Sequence, residues 1–173
     1  MLLSLRSLQG AHEHFDKRYE RSLFPATDGE TFQVVSPVLL SFDVDGQEPG
    51  RFRVEGHVTG DLELACSRCL EPFTLPVAAE FDLRYVPRVE PAGEGEKEVE
   101  EDDLMTAFYA DDQIDLGLLI MEQFQLALPM KPLCNAACKG LCPECGTNLN
   151  TGSCDCKREW IDPRLEVLKQ LKK

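Results

Sequence analysis

Three stretches between Val38 and Tyr85 alternate apolar and polar side chains at every second residue, and only extended chain places such a pattern on one face. In the first, Val38, Leu40, Phe42 and Val44 alternate with Leu39, Ser41, Asp43 and Asp45. After turn signals at Asp45-Gly46 and Pro49-Gly50, Phe52, Val54, Val58, Leu62 and Leu64 alternate with polar neighbours from Arg51 to Glu63. Phe73, Leu75, Val77, Ala79, Phe81, Leu83 and Tyr85 make the third. Such lengths predict an antiparallel sheet with one buried and one wet face. Gly56 and Gly60 fall on the apolar parity of the second strand and predict bulges or bends that curve the sheet.

Leu8, His12, Phe15, Tyr19 and Leu23 recur about one helical turn apart, which predicts a helix over 8–23. Residues 107–115 suit a short strand. Asp115 is a good N-cap for a helix that runs to about Leu128 and stops at Pro129. Its main stripe is Leu116, Leu119, Ile120, Phe124, Ala127 and Leu128, while Leu118, Met121 and Leu126 widen the apolar surface enough to pack on the sheet and also meet a partner. Asp162-Pro163 opens a short basic helix through Lys172. The fold class expected is α+β: a curved antiparallel β-sheet packed by one or two helices, with a C-terminal cysteine-rich zinc-binding segment. The division is 1–133, carrying a mobile acidic loop at 87–103, and 134–173.

A chain of 173 residues, 43% apolar, can bury one real core with a small appendage. No apolar run nears the about 20 residues needed to span a bilayer, and the opening Met1–Arg6 is too short for a signal core. The expectation is a cytoplasmic protein with no membrane contact, whose thiols stay reduced. The net charge of −13 is unevenly spread. Eight acids between Glu90 and Asp103 face Lys97 alone, whereas from Lys131 onward eight Lys and Arg face five acids. The whole-chain charge therefore does not exclude an anionic partner.

The eight cysteines form four close pairs: Cys66/Cys69, Cys134/Cys138, Cys142/Cys145 and Cys154/Cys156. Two thiolates so spaced reach one ion from a single tight turn, which is what zinc requires. Cys66-Ser-Arg-Cys69 falls at the tip of a β-hairpin, and in Cys142-Pro-Glu-Cys145-Gly146 the glycine permits the positive φ of a metal knuckle. Buried free cysteines or a thiol redox pair are the competing readings. Tight pairing disfavours the first, and the absence of a βαβ pattern around Cys66 disfavours the second. Loop closure favours Cys142, Cys145, Cys154 and Cys156 on one ion and Cys66, Cys69, Cys134 and Cys138 on another. An interleaved set joining Cys66/Cys69 to Cys142/Cys145 remains open. Two four-cysteine zinc ions have no position for water and are structural rather than hydrolytic.

No further chemistry assembles. His12 and His14 do not share a helical face, His57 is on the wet parity of its strand, and there is no nucleophile elbow, phosphate loop or H-E-x-x-H. The chain is expected not to be an enzyme. Trp160 is read as an anchor to the core before a base-stacking platform.

Several segments together resemble a known family. They are Leu64-Ala-Cys66-Ser-Arg-Cys69-Leu70-Glu71-Pro72-Phe73, then Ile114-Asp115-Leu116 with Leu126 to Cys134, then Cys138 to Asn150, and Asp162-Pro163-Arg164-Leu165. In this order they resemble the signature of the large ribosomal RNA subunit accumulation proteins (YceD-like), over about 110 residues. The resemblance implies a bacterial or plastid factor needed for large-subunit ribosomal RNA to accumulate, through its synthesis, processing or stability. It supplies no catalytic residues. The partners implied are ribosomal RNA, a large-subunit precursor or a ribosomal protein. Arg51, Arg53, Arg68, Lys157, Arg158, Arg164, Lys169 and Lys172 are the candidate contacts, since cations beside a rigid knuckle suit phosphate. A protein–protein adaptor without RNA contact is the alternative, and a thiol redox protein a more distant one.

Overall fold

The computed structural model describes residues 1–8, 11–25, 31–88 and 105–156. Eight strands and one α-helix lie among them: β1 (Leu2–Ser4), β2 (His12–Tyr19), β3 (Phe32–Val34), β4 (Val38–Glu48), β5 (Arg51–Ala65), β6 (Pro72–Pro87), β7 (Thr106–Tyr109), β8 (Gln113–Asp115) and α1 (Leu116–Ala127). The expected mobile loop and the expected basic helix at 162–172 lie, apart from residues 87 and 88, outside the described residues, as does Trp160.

The long alternating stretches form the frame. β5 and β6 pair antiparallel without a break from Phe52↔Tyr85 to Ala65↔Pro72. β4 covers one half of the other edge of β5, from Leu39↔Thr59 to Glu48↔Arg51. β3 covers the remainder through Phe32↔Leu64 and Val34↔Leu62. β2 lies outside β4, and β7 closes the far side as the one parallel pairing of this six-stranded sheet, Arg84↔Thr106 to Pro87↔Tyr109. β1 and β8 form a separate two-stranded sheet. Val38, Leu40, Phe42 and Val44 of β4 and Phe52, Val54, Val58, Leu62 and Leu64 of β5 are all buried on one face, where α1 packs. The architecture is a mostly antiparallel α+β fold.

Asp115 caps α1 as its position predicts, accepting the N–H groups of Gly117 at 2.8 Å and Leu118 at 3.4 Å. The helix ends at Ala127 because Leu128 turns extended (φ −66°, ψ 136°) ahead of Pro129. Its buried face is Leu116, Leu119, Ile120, Gln123 and Phe124. Ala127 is exposed and Gln123 takes a core position instead. Phe124 meets Phe32 edge-on, with centroids 6.5 Å apart, and burying such a ring contributes about 2–3 kcal/mol.

Three expectations are corrected. The helix over 8–23 is instead β2, followed by a single 3₁₀ turn at Arg21–Leu23. In β2 the residues beside the buried face of β4 are Glu13, Phe15, Lys17 and Tyr19, opposite Val44, Phe42, Leu40 and Val38. Two of the four are charged, so only Phe15 and Tyr19 show apolar character, and their spacing of four imitates a helix. Lys17 caps this edge of the core with its ammonium 5.6 Å from the Phe15 ring centroid. Gly56 and Gly60 are not bulges. A Cβ on Gly56 would fall 2.3 Å from the Ser41 carbonyl oxygen and 2.6 Å from Phe42 Cβ, and one on Gly60 3.1 Å from the Phe124 ring. They are clearance for a neighbouring strand and for the helix. The irregular step lies in β4, between Gly46 and Glu48. The 107–115 region is two strands rather than one, β7 and β8, separated by Asp111 and Asp112 at φ 55° and 54°.

Candidate metal centre

Each Cys-x-x-Cys pair is built by the same backbone device. At the β5–β6 hairpin tip, Cys66 N–H donates to Glu71 O (2.9 Å) and Leu70 N–H to Cys66 O (2.9 Å). In the second knuckle Cys142 N–H donates to Thr147 O (2.8 Å) and Gly146 N–H to Cys142 O (2.9 Å). Both turns need a left-handed residue after the second cysteine: Leu70 at φ 61° and Gly146 at φ 72°.

The tail folds back onto the hairpin tip. Ser67 N–H donates to Pro132 O (2.8 Å), and Leu141 N–H to Arg68 O (3.1 Å). Gly140 (φ 76°) allows this approach, because a Cβ there would lie 3.0 Å from Arg68 O. The sulfurs of Cys66, Cys69, Cys134 and Cys138 thereby come within 4.8 Å of one another, as do those of Cys142, Cys145, Cys154 and Cys156. This is the division that loop closure favours, not the interleaved one.

In the first cluster Cys66 and Cys138 Sγ are 3.8 Å apart and Cys69 and Cys134 Sγ 3.7 Å. A tetrahedron with metal–sulfur bonds of about 2.3 Å has edges of about 3.8 Å, so four thiolates here fit a zinc-sized ion. All eight cysteines are free, and a disulfide would bring sulfurs to about 2.05 Å. The clusters differ in exposure. Cys66, Cys69 and Cys138 are buried and Cys134 exposed, while in the second only Cys142 is buried.

The thiols of each cluster are pushed in opposite directions. N–H groups of Cys134 and Cys69 draw Cys66 down to about 6, and the Thr147 hydroxyl and N–H draw Cys145 down to about 6. Loss of water and the neighbouring sulfurs push Cys134 up to about 12, and Cys145 chiefly pushes Cys156 up to about 12. Four thiols this close cannot all ionise alone, and a cation is what lets them.

Asn150 was not anticipated. From the second knuckle's loop its amide donates to Cys138 Sγ at 3.3 Å, and its carbonyl oxygen accepts Lys139 N–H at 2.8 Å. Asn148 reaches the hairpin through Glu71 at 3.4 Å. The sequence signal is weak: Thr147-Asn148-Leu149-Asn150 reads as an ordinary turn.

Of the candidate phosphate contacts, three are described and each already has a partner. Arg53 bonds both oxygens of Asp82 (2.9 and 2.7 Å) and also Glu55 (2.8 Å). Arg51 lies 3.7 Å from Glu48, and Arg68 donates to Cys138 O at 2.8 Å, fastening the tail. Lys157, Arg158, Arg164, Lys169 and Lys172 lie outside the described residues. His14 joins the wet face through Asp43 at 2.9 Å. Among the described residues no helix is long and apolar enough to cross a membrane.

The structure thus defines a class: an antiparallel sheet domain whose C-terminal knuckles bring eight thiols into two clusters able to hold metal ions. The chain belongs to the family described as large ribosomal RNA subunit accumulation protein YceD, whose model matches residues 54–172. It is 35% identical over 153 residues to the Zea mays protein named large ribosomal RNA subunit accumulation protein YCED homolog 1, chloroplastic, covering 75% of this chain and 52% of that protein. The Arabidopsis thaliana protein of the same name is 30% identical over 73% of this chain and 46% of its own length. An uncharacterized protein of Mycobacterium tuberculosis is 32% identical over 68% of this chain and 54% of its own. The chain therefore spans about half the length of these relatives. No solved structure matches it.

Proposed function

We propose that this protein is a non-catalytic factor in the accumulation of large-subunit ribosomal RNA, acting in its synthesis, processing or stability. The observation that carries the reading is the family match, which takes in both thiol clusters and the hairpin they fasten. Two zinc ions, each filled by four thiolates, hold the C-terminal knuckles; a filled tetrahedron leaves no position for a substrate. Function then resides in the surfaces so positioned, and the partner is ribosomal RNA or a large-subunit precursor containing it. The same reading places the protein in the cytoplasm of a bacterium.

The test is depletion in growing cells, with gradient fractionation and crosslinking in parallel. Large-subunit ribosomal RNA should fall relative to small-subunit RNA, and the protein should co-sediment with large-subunit precursors. An unchanged RNA ratio with no co-sedimentation would refute the reading. Engagement of Arg51, Arg53 and Arg68 by acids or backbone favours a second reading, an adaptor that meets a ribosomal protein. Crosslinks to protein alone, with no salt-dependent binding to naked RNA, would select it.

A further inference from the structure

Among the described residues, one long face of α1 has no partner. Beside it, toward β6 and β7, runs a groove of about 1100 Å³ whose apolar walls include Leu83, Ala107, Phe108, Leu118 and Leu126. Phe108, Leu118 and Leu126 are 66%, 60% and 78% exposed, an unusual concentration of large apolar side chains on one surface. Asp115 and Glu122 also line it, with Arg88 as the cation among its lining residues.

We propose that the chain's own C-terminal segment, residues 157–173, docks in this groove. The segment begins at the right end of the molecule. It follows Cys156 of the second thiol cluster, and Asn148, in the knuckle loop of that cluster, contacts Glu71 beside the start of β6. Phe32, which lines the groove, pairs with Leu64 and so lies level with Phe73. That is two residues along β6 from Glu71, or about 7 Å.

Length and chemistry fit as well. The groove follows α1 from Leu126 back to Asp115, about 16 Å. Pro163 to Lys172, read from its sequence as helical, covers nearly the same distance, about 15 Å. Ile161, Leu165, Leu168 and Leu171 recur about one turn apart. Residues 157–173 carry six Lys and Arg against three acids, opposite in sign to Asp115 and Glu122. The segment that follows Arg88 in the sequence, 89–104, has eight acids and one lysine, and in this groove would place like charges together. The family match includes both the groove-forming elements and residues up to 172. This inference stands independently of the ribosomal reading.

Trp160 is the single tryptophan, so its fluorescence reports the segment directly. In the full native chain its emission should be shifted to the blue of the unfolded chain and shielded from acrylamide. Leu118→Glu and Leu126→Glu change exposed positions and should leave far-ultraviolet dichroism unchanged. Each should return the emission toward the red and raise quenching several-fold, as should Leu168→Asp in the segment itself. Native emission matching the unfolded chain would overturn the proposal, and so would a blue shift that ignores the groove substitutions. A shift that fades on dilution would assign the segment to a second copy and overturn docking within one chain.

Discussion

Leu70 holds, one residue past Cys69, the left-handed backbone position that Gly146 holds one residue past Cys145, with φ of 61° and 72°. The hydrogen bonds around them match, Leu70 N–H to Cys66 O and Gly146 N–H to Cys142 O, both 2.9 Å. The first knuckle therefore carries strain of about 1–2 kcal/mol that the second avoids. Leu70→Gly should raise stability by about 1 kcal/mol despite the looser unfolded chain, because Leu70 is exposed and gives up little packing. Gly146→Leu should lower it comparably. Thermal unfolding of both variants with metal bound checks the opposite signs.

Gly56→Ala should destabilise by about 3 kcal/mol, read as a lower denaturant midpoint. The added methyl would lie within 2.6 Å of backbone and Cβ atoms of β4, which cannot withdraw without breaking the pairing. Gly152→Ala, whose methyl would find the Thr147 side chain at 3.3 Å, should cost far less.

Phe124→Ala should cost about 3–5 kcal/mol, since the ring is fully buried against Phe32 and over Gly60. The same denaturant titration measures it.

Chelation should remove two zinc equivalents in two phases. The cluster of Cys142, Cys145, Cys154 and Cys156 should empty first, because three of its thiols are reachable from solvent while three of the other four are buried. Asn150→Ala should then speed loss from the buried cluster, weakening its metal affinity about tenfold or more by removing the amide from Cys138 Sγ. Stopped-flow release into a colorimetric zinc indicator would follow both steps; single-phase release, or an unchanged slow phase in the variant, would contradict them.

Burial alone would raise the Asp115 carboxyl, but the N–H groups of Gly117 and Leu118 together with the Met1 ammonium 3.3 Å away outweigh it and hold it below the usual carboxylate range. A folded value below the unfolded one, about 3.9, contributes stability above that pH and loses it as pH falls through the folded value. Asp115→Ala should therefore cost about 1 kcal/mol at neutral pH and progressively less below about pH 4. Asp115→Asn should retain the cap and abolish that pH dependence, as denaturant curves at several pH values would show.

Much of this was legible in the sequence. β4, β5, β6 and α1 were readable because each has one face in the core and one in water, so burial is written into the residue pattern. β2 was not, because Glu13 and Lys17 stand at core-facing positions of an edge where their charged ends still reach solvent. β1 and β3 are three residues each and too short to show a period. The cysteine spacings pointed to the pairs, but joining them depends on the approach of Gly140 to Arg68, a contact between residues far apart in the chain. Arg68 shows the same limit: its sequence speaks only of charge, and its carbonyl and guanidinium are both spent on the tail.

The family match begins at Val54, inside β5, yet the strands that pair with the other edge of β5, β3 and β4, lie upstream of it and bury Phe32, Val34, Val38, Leu40, Phe42 and Val44 in the same core. A chain trimmed to the matched residues would bare the unpaired edge of what remains of β5, Val54 to Ala65, whose inner face is apolar, a template for pairing with other copies. The N-terminal strands outside the matched range thus do for this hairpin what a capping strand does for any open sheet: they occupy the edge on which a second copy would otherwise pair.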